Sequence, residues 1–206
     1  MGSAGAGTET EPTTGRGRAK AVRRDALLAA AASLFAERGY RGVTMEDLGA
    51  AAGVSGPAVY RHFSGKQAVL GALLVGVSRS LLTGGSAVVG EVTEPRDALA
   101  SLVRFHVEFA LSNPDVIRAQ DQDLGSLSDE DRRAVRSLQR SYVELWVETI
   151  GRLRSEDAAA SRVRAHAVFG LINSTPHSAR RHGAAPARAT VRTLLEEMAM
   201  RALLPE

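Results

Sequence analysis

The chain has 206 residues, of which 44% are hydrophobic and 24% charged, and it contains no cysteine. That length suffices for one larger domain or two small ones with a buried core, and the lack of cysteine excludes disulfides and thiolate metal sites. With no run of about 18 apolar residues and no apolar signal core, a cytoplasmic protein without a membrane partner is expected.

The net charge of +3 is unevenly spread. Between positions 15 and 70 nine basic residues stand against four acidic ones, so the remainder is slightly acidic. A basic end on a near-neutral body is the electrostatic footprint of a nucleic-acid binder.

Residues 1–19 are rich in Gly, Thr, Ala and Ser without an apolar period, and are expected to be a disordered tail. The end of this tail carries Arg16 and Arg18, with Lys20 next, an arm suited to phosphates or a minor groove. From 22 to 38, Leu27, Ala31, Leu34 and Phe35 recur at helical spacing, and Gly39 ends the helix. Thr44 with Asp47 caps a short second helix that Gly53 terminates. Ser55 stands at the cap of a third helix, with Pro57 in its first turn. Ser64 and Gln67 read as a capping box for a fourth helix to about Leu82, followed by a break over 83–86.

Beyond Pro95 a stripe of Leu99, Leu102, Val103, His106, Phe109 and Ala110 predicts a helix up to Asn113-Pro114. A short helix to about Gln120 and a loop over 121–127 follow. Ser128 with Asp131 opens a helix to about Arg154, along which Val135, Leu138, Tyr142, Leu145, Trp146 and Ile150 share helical spacing. Two more helices are predicted over 157–182 and 186–204. Nothing has the period of a strand. The expected fold is all-α with about nine helices: a helix-turn-helix domain over 20–66 and a helical ligand-binding and dimerisation domain over 67–206.

The spacing within 45–63 is specific. Leu48, Ala52, Val54, Val59 and Phe63 point inward if two helices cross steeply, with Gly49 at the crossing and Gly53 in the turn. Gly56, Pro57, Ala58, Tyr60, Arg61 and His62 then face outward. Small residues let the backbone approach bases, Arg61 can fork onto guanine, and Tyr60 and His62 can donate to phosphates. Lys66 adds charge at the start of the next helix. A plain helical hairpin would not need glycine, caps, aromatic and cation all in register.

These residues carry a resemblance. From Val22 to about Leu74, through LFAERGY, TMEDLGAAAGVSGPAVYRHF and Lys66, the chain closely resembles the DNA-binding domain of tetracycline-repressor (TetR) family regulators. The resemblance implies a homodimer, joined through its last two helices, that reads a palindromic double-stranded operator and answers to a small-molecule effector. It implies phosphate contacts from Thr44, Tyr60, His62 and Lys66, and base reading by Gly56, Pro57, Ala58 and Arg61. Ser55 belongs to the same DNA-facing set. Glu46 falls where some members use a basic residue on a base, and its carboxylate suits cytosine N4 instead.

In the C-terminal part, Phe105, His106 and Phe109 on one helix and Tyr142 and Trp146 on another are candidate ligand contacts. The segment GLINSTPHSARRH adds more. Pro176 removes a backbone bond and is expected to kink the helix near Ile172. His166, Phe169, Asn173 and His177 lie near one stripe, with Gly170 opening space beside it. The segment looks like those of regulators linked to acyl-CoA metabolism, which implies a small, largely hydrophobic, acyl-CoA-like ligand, with Arg180 and Arg181 available for phosphates.

Two other signals fail. Asp121, Asp123 and Gly125 hint at a calcium loop, but the glycine is one place early and position twelve is Arg132. The five histidines show no metal spacing, and no nucleophile–base pair or phosphate-cradling loop appears, so neither cofactor, metal nor enzymatic activity is expected. The expected function is a DNA-binding transcriptional repressor released by its ligand. The alternatives are an activator of the same fold and a helical small-molecule sensor that does not read DNA sequence.

Overall fold

The computed structural model describes residues 15–178 and 186–205, without the side chains of residues 16 and 175–178. Nine α-helices and no strand occur among the described residues. They are α1 (Gly15–Arg38), α2 (Met45–Ala51), α3 (Gly56–Val59), α4 (Lys66–Gly90), α5 (Pro95–Ser112), α6 (Pro114–Asp123), α7 (Asp129–Gly151), α8 (Ala158–Ser178) and α9 (Arg188–Leu203). The all-α expectation holds.

Helix α1 starts before the expected tail ends. Residues 15–19, assigned to the tail, are helical. Arg, Ala and Lys are strong helix formers and outweigh the two glycines at its start. Residues 1–14 lie outside the described part.

Two apolar cores form. The first gathers Leu27, Ala31 and Phe35 of α1, Leu48 of α2, Val59 of α3 and Leu70 and Leu74 of α4. Val116 and Ala119 of α6 and Val135 of α7 join it, so the head is seated on the body through shared core. Each fully buried Leu or Phe stabilises by about 1.5–3 kcal/mol. The second core joins Leu99, Leu102 and Val103 of α5, Trp146 and Ile150 of α7, Val168 and Ile172 of α8, and Leu195 and Leu203 of α9.

Helix α4 belongs to both cores and differs most from expectation. The predicted break over 83–86 is absent, and the helix runs on to Gly90. Its glycines serve side-chain approach instead of a turn. A Cβ on Gly84 would lie 2.5 Å from Phe105 Cζ, and one on Gly85 would lie 2.7 Å from Tyr142 Cε2. The aromatic rings of α5 and α7 therefore lie directly on the α4 backbone. By length and composition α4 resembles a membrane-crossing helix, but its Leu70, Leu73 and Leu74 are buried within the fold. The predicted Ser64–Gln67 box is also absent: Gly65 is the cap residue, and the Gln67 amide donates to the Ser126 carbonyl at 3.1 Å.

The expected loop over 121–127 is mostly helical. α6 extends to Asp123, and a 3-10 turn covers Leu124–Ser126. Both ends of α6 hold the head. Asp115 accepts from the Ser33 hydroxyl at 2.8 Å, and Asp123 accepts from the Tyr40 N–H at 2.9 Å. The predicted Ser128 cap of α7 is present, accepting from the Asp131 N–H. α8 continues through Pro176 to Ser178 without interruption. The predicted extension of that helix to 182 falls outside the described residues.

Candidate nucleic-acid interface and ligand cavity

The head is built on one close crossing. Val54 N–H donates to the Gly49 carbonyl at 2.9 Å across the turn, where Gly53 holds φ +67°. A left-handed residue there favours glycine. A Cβ on Gly49 would sit 2.9 Å from the Val54 carbonyl oxygen and 3.1 Å from Val59 Cγ2, so glycine is required for α2 and α3 to meet. Leu48, Val59 and Phe63 are buried beneath, as the spacing predicts.

α3 itself spans only Gly56–Val59, shorter than expected, and hydrogen-bonded turns carry it on to Phe63. Ser55 is its cap residue, but the Ser55 side chain makes no cap bond. Tyr60 is 54% exposed, and Pro57 and Arg61 are exposed as well. Gly56 and Ala58 are half-buried. Glu46 is exposed on α2, with its Cγ 3.9 Å from where a Gly56 Cβ would stand.

Thr44 and Asp47 form the expected reciprocal cap. The Thr44 hydroxyl and N–H both donate to the Asp47 carboxylate, at 2.7 and 2.8 Å, and the Asp47 N–H donates back to the hydroxyl. The hydrogen bonds from Thr44 hold the Asp47 carboxyl below its ordinary pKa, and the Arg38 charge helps. Lys66 is committed inward as well, donating to the Val43 carbonyl at 2.6 Å and lying 4.4 Å over the Tyr40 ring.

His62 is half-buried, and its Nδ1 is buried without a partner among the described residues. Burial, followed by the charges of Lys20, Arg23, Arg24 and Arg61, lowers its pKa. The first turns of α1 thus bring cations to the α3 end of the head. Arg24 also packs its guanidinium 4.6 Å over Phe63. Of the α1 cations among these neighbours, sequence reasoning assigned a DNA role only to Lys20. It missed Arg23 and Arg24 because it ended the basic arm before α1.

In the body, one inner cavity of about 240 Å³ lies among α4, α5, α6, α7 and α8. It is lined by Ser78, Leu81, His106, Gln120, Gln139, Tyr142, Val143, His166, Phe169 and Asn173. Of the predicted ligand residues it brings together His106, Tyr142, His166, Phe169 and Asn173. Trp146 and Phe109 pack behind them, their rings 5.7 and 6.3 Å from His106. Phe105 does not line the cavity, because its ring is spent on Gly84. The His177 side chain lies outside the described residues. Gly170 is exposed with nothing near a would-be Cβ, so it opens onto solvent and not onto the cavity.

Sequence reasoning missed Ser78, Leu81, Gln120, Gln139 and Val143. A signal existed for two of them. Gln139 falls on the Val135–Tyr142–Trp146 stripe and Ser78 on the Leu70–Leu74 stripe, each a polar residue at a core position.

The cavity wall holds neutral polar groups. His106 is 3% exposed, and its Nδ1 lies 3.2 Å from the Tyr142 hydroxyl. Burial lowers its pKa to about 4, with Asn173 opposing, so the ring is neutral at pH 7. Burial raises the Tyr142 phenol pKa, and the Trp146 N–H acts against that shift. No Asp, Glu, Lys or Arg is among the described lining residues. Among the described residues, the Asn173 amide sits beside the His106 ring and the Trp146 N–H beside the Tyr142 hydroxyl, each as a loose, off-line contact. A more open groove of about 410 Å³ lies between α1, α4 and the α5–α6 turn, but none of these polar groups lines it.

Comparison with known proteins agrees with both halves. Residues 27–73 match the bacterial regulatory proteins of the tetR family, and residues 92–203 match a tetracyclin repressor-like C-terminal domain. The chain is 28% identical over 157 residues to the HTH-type transcriptional repressor KstR2 of Rhodococcus jostii, covering 76% of this chain and 77% of that one. It is 34% identical over 87 residues to the HTH-type transcriptional activator FasR of Mycolicibacterium smegmatis, covering 42% and 40%. Among solved structures it resembles the TetR-family regulator PfmR of Thermus thermophilus at a TM-score of 0.71 and 25% identity, covering 87% of this chain and 99% of that one. With a DNA-reading head and a C-terminal body both matched, the chain belongs to the tetR family of DNA-binding transcription regulators.

Proposed function

We propose that this protein is a homodimeric repressor that occupies a palindromic operator and leaves it when a small, largely hydrophobic ligand, acyl-CoA-like in its apolar part, fills the inner cavity. The observation that carries the DNA half is the exposed Tyr60–Arg61 end of α3 beside the cations Lys20, Arg23 and Arg24. Arg61 is the side chain suited to a guanine edge, and Gly56, Pro57 and Ala58 leave the backbone close to bases. Ser55 and Tyr60 supply hydroxyls for phosphates, while Thr44, His62 and Lys66 have polar atoms near the same surface. Glu46 is suited to cytosine N4.

The dimer half is supported by Val163 on α8 and by Leu194 and Met198 on α9, which are 69%, 51% and 50% exposed. Large apolar side chains grouped on two adjacent helices favour association. The domain division at residue 66 falls at the first turn of α4, so a ligand touching Ser78 and Leu81 acts on the helix that carries the head. Heads about 34–36 Å apart meet successive major grooves, and a shift of a few ångströms lowers affinity.

The similarity to the repressor KstR2 spans more of the chain than that to the activator FasR, which favours repression. Selection from random duplexes with the full-length protein tests the reading. The enriched sequence should be an inverted repeat with half-sites one helical turn apart, and binding should weaken steeply with salt. Enrichment of a non-repeated sequence, or binding indifferent to salt, overturns it. A reporter driven through the selected operator should be silenced by the protein. Stimulation instead would make the protein an activator.

A further inference from the structure

Helix α4 rests on α7 at two seats, each made by a missing side chain. Near the head, a Cβ on Gly71 would overlap the carboxylate of Asp131, in the first turn of α7. About four turns further along α4, a Cβ on Gly85 would lie 2.7 Å from Tyr142 Cε2 and 3.2 Å from both Leu102 Cδ1 and Leu145 Cδ2. Gly85 is buried and continues the stripe of Ser78 and Leu81, which line the inner cavity. The Tyr142 ring thus fills the place that a side chain at 85 would take. The neighbouring notch at Gly84 holds Phe105. Of these two rings, only that of Tyr142 also lines the cavity.

The ring is braced on its other sides. The His106 and Phe169 rings lie at 5.8 and 5.9 Å, with planes within 29° and 8° of it, and Trp146 meets it edge-on at 6.3 Å. Its hydroxyl is 3.2 Å from His106 Nδ1. His106 and Phe169 line the cavity as well. A close-packed cluster of this kind passes strain on instead of absorbing it. A methyl group at 85 needs about 1 Å more separation to reach ordinary carbon–carbon contact, and with the ring braced, α4 has to supply it. With the Gly71 seat in place, displacement at Gly85 tilts α4, whose first turn is tied to the head through Lys66.

Resting on the reading of this protein as a ligand-released repressor, we infer that Tyr142 is a positioning residue for DNA binding, whose ring, seated on Gly85, relays the filling of the cavity to α4. The empty cavity leaves ring and helix in the operator-binding arrangement. An effector presses the braced ring onto the α4 backbone and tilts the helix that carries the head.

The relay is testable without the effector, because a side chain at 85 strains the same seat from the helix side. With the full-length protein and the selected operator, Gly85→Ala should lower affinity about tenfold or more. The salt slope should stay the same, since the DNA-facing side chains are unaltered. Adding Tyr142→Leu makes room for the new methyl and should recover most of the loss, so that the two changes are not additive. Gly76→Ala, also on α4, places a Cβ with nothing within 4 Å and should bind like the unaltered protein. It separates the seat from a general gain in helix propensity. Unchanged affinity in Gly85→Ala, no recovery in the double variant, or an equal loss in Gly76→Ala overturns the relay and leaves the repressor reading standing. If Gly85→Ala alone does not fold, Tyr142→Trp decides: its larger ring strains the seat from the other side and should reproduce the loss, and full operator affinity overturns the relay. Failure of the unaltered protein to bind any inverted repeat is instead the failure of the repressor reading.

Discussion

The ammonium of Lys66 donates to the carbonyl of Val43 at 2.6 Å, tying the first turn of α4 to the residue before the α2 cap. The same ammonium lies over the Tyr40 ring. A hydrogen bond from a charged donor is worth about 1.5–3 kcal/mol and an exposed cation–π contact about 0.5–1 kcal/mol. Lys66 therefore holds the head to α4 before any DNA is present. Lys66→Met keeps the stem and removes the charge. We expect a loss of about 1–2 kcal/mol in the DNA-free protein, or roughly 3–8 °C in Tm, measured by thermal melting. An unchanged Tm would show that the bond contributes nothing.

Arg61→Ala should cost about 1–3 kcal/mol on the selected operator and relax selectivity at one position in each half-site. Tyr60→Phe removes only a hydroxyl suited to phosphate. It should weaken all duplexes alike and leave base preferences intact. Anisotropy titrations against operators mutated one position at a time separate the two effects. Loss of selectivity in the tyrosine variant would reverse these roles.

Much of the head was legible because its chemistry is local. The Thr44–Asp47 cap and the Gly53 turn each depend on residues within a few positions, and Gly49 on neighbours within about ten. Long-range contacts were not legible. Gly84 and Gly85 read as a break because nothing nearby in sequence shows that Phe105 and Tyr142 lie on them. The Lys66 bond was not legible because its partner, Val43, is 23 positions away. In the body, helical stripes found His106, Tyr142 and Asn173, but not that Phe105 on the preceding position of α5 points elsewhere. Periodicity gives the face of a helix and leaves open what that face meets.

His106 also sets an acid limit on the body. Its pKa is about 4 in the fold against 6.5 for a free side chain. Below pH 6.5 the unfolded chain takes up a proton that the native ring refuses. The stability associated with the neutral ring is complete above pH 6.5 and is lost as pH falls towards 4. The total is about 3 kcal/mol, of which about 2 kcal/mol is lost between pH 7 and 5. In His106→Gln this part of the pH dependence should vanish, although the variant starts less stable at pH 7. Urea midpoints across that range measure it, and parallel curves for the two proteins would sink the assignment.

His62 should link DNA binding to protons in the opposite sense. In the DNA-free head its pKa is lowered by burial and by Lys20, Arg23, Arg24 and Arg61. Nothing among the described residues bonds its Nδ1, so the charged ring has no stabilising partner among them. Operator phosphates neutralise those four cations and add negative charge beside the ring. The pKa of His62 then rises in the complex, and a proton is taken up on binding. Affinity should increase as pH falls from about 7.5 to 6, while the protein itself is still folded. Calorimetry in buffers of different ionisation enthalpy should register this uptake, and His62→Gln should abolish it. Proton release on binding, or pH dependence retained in the glutamine variant, would place the titrating group elsewhere on the head.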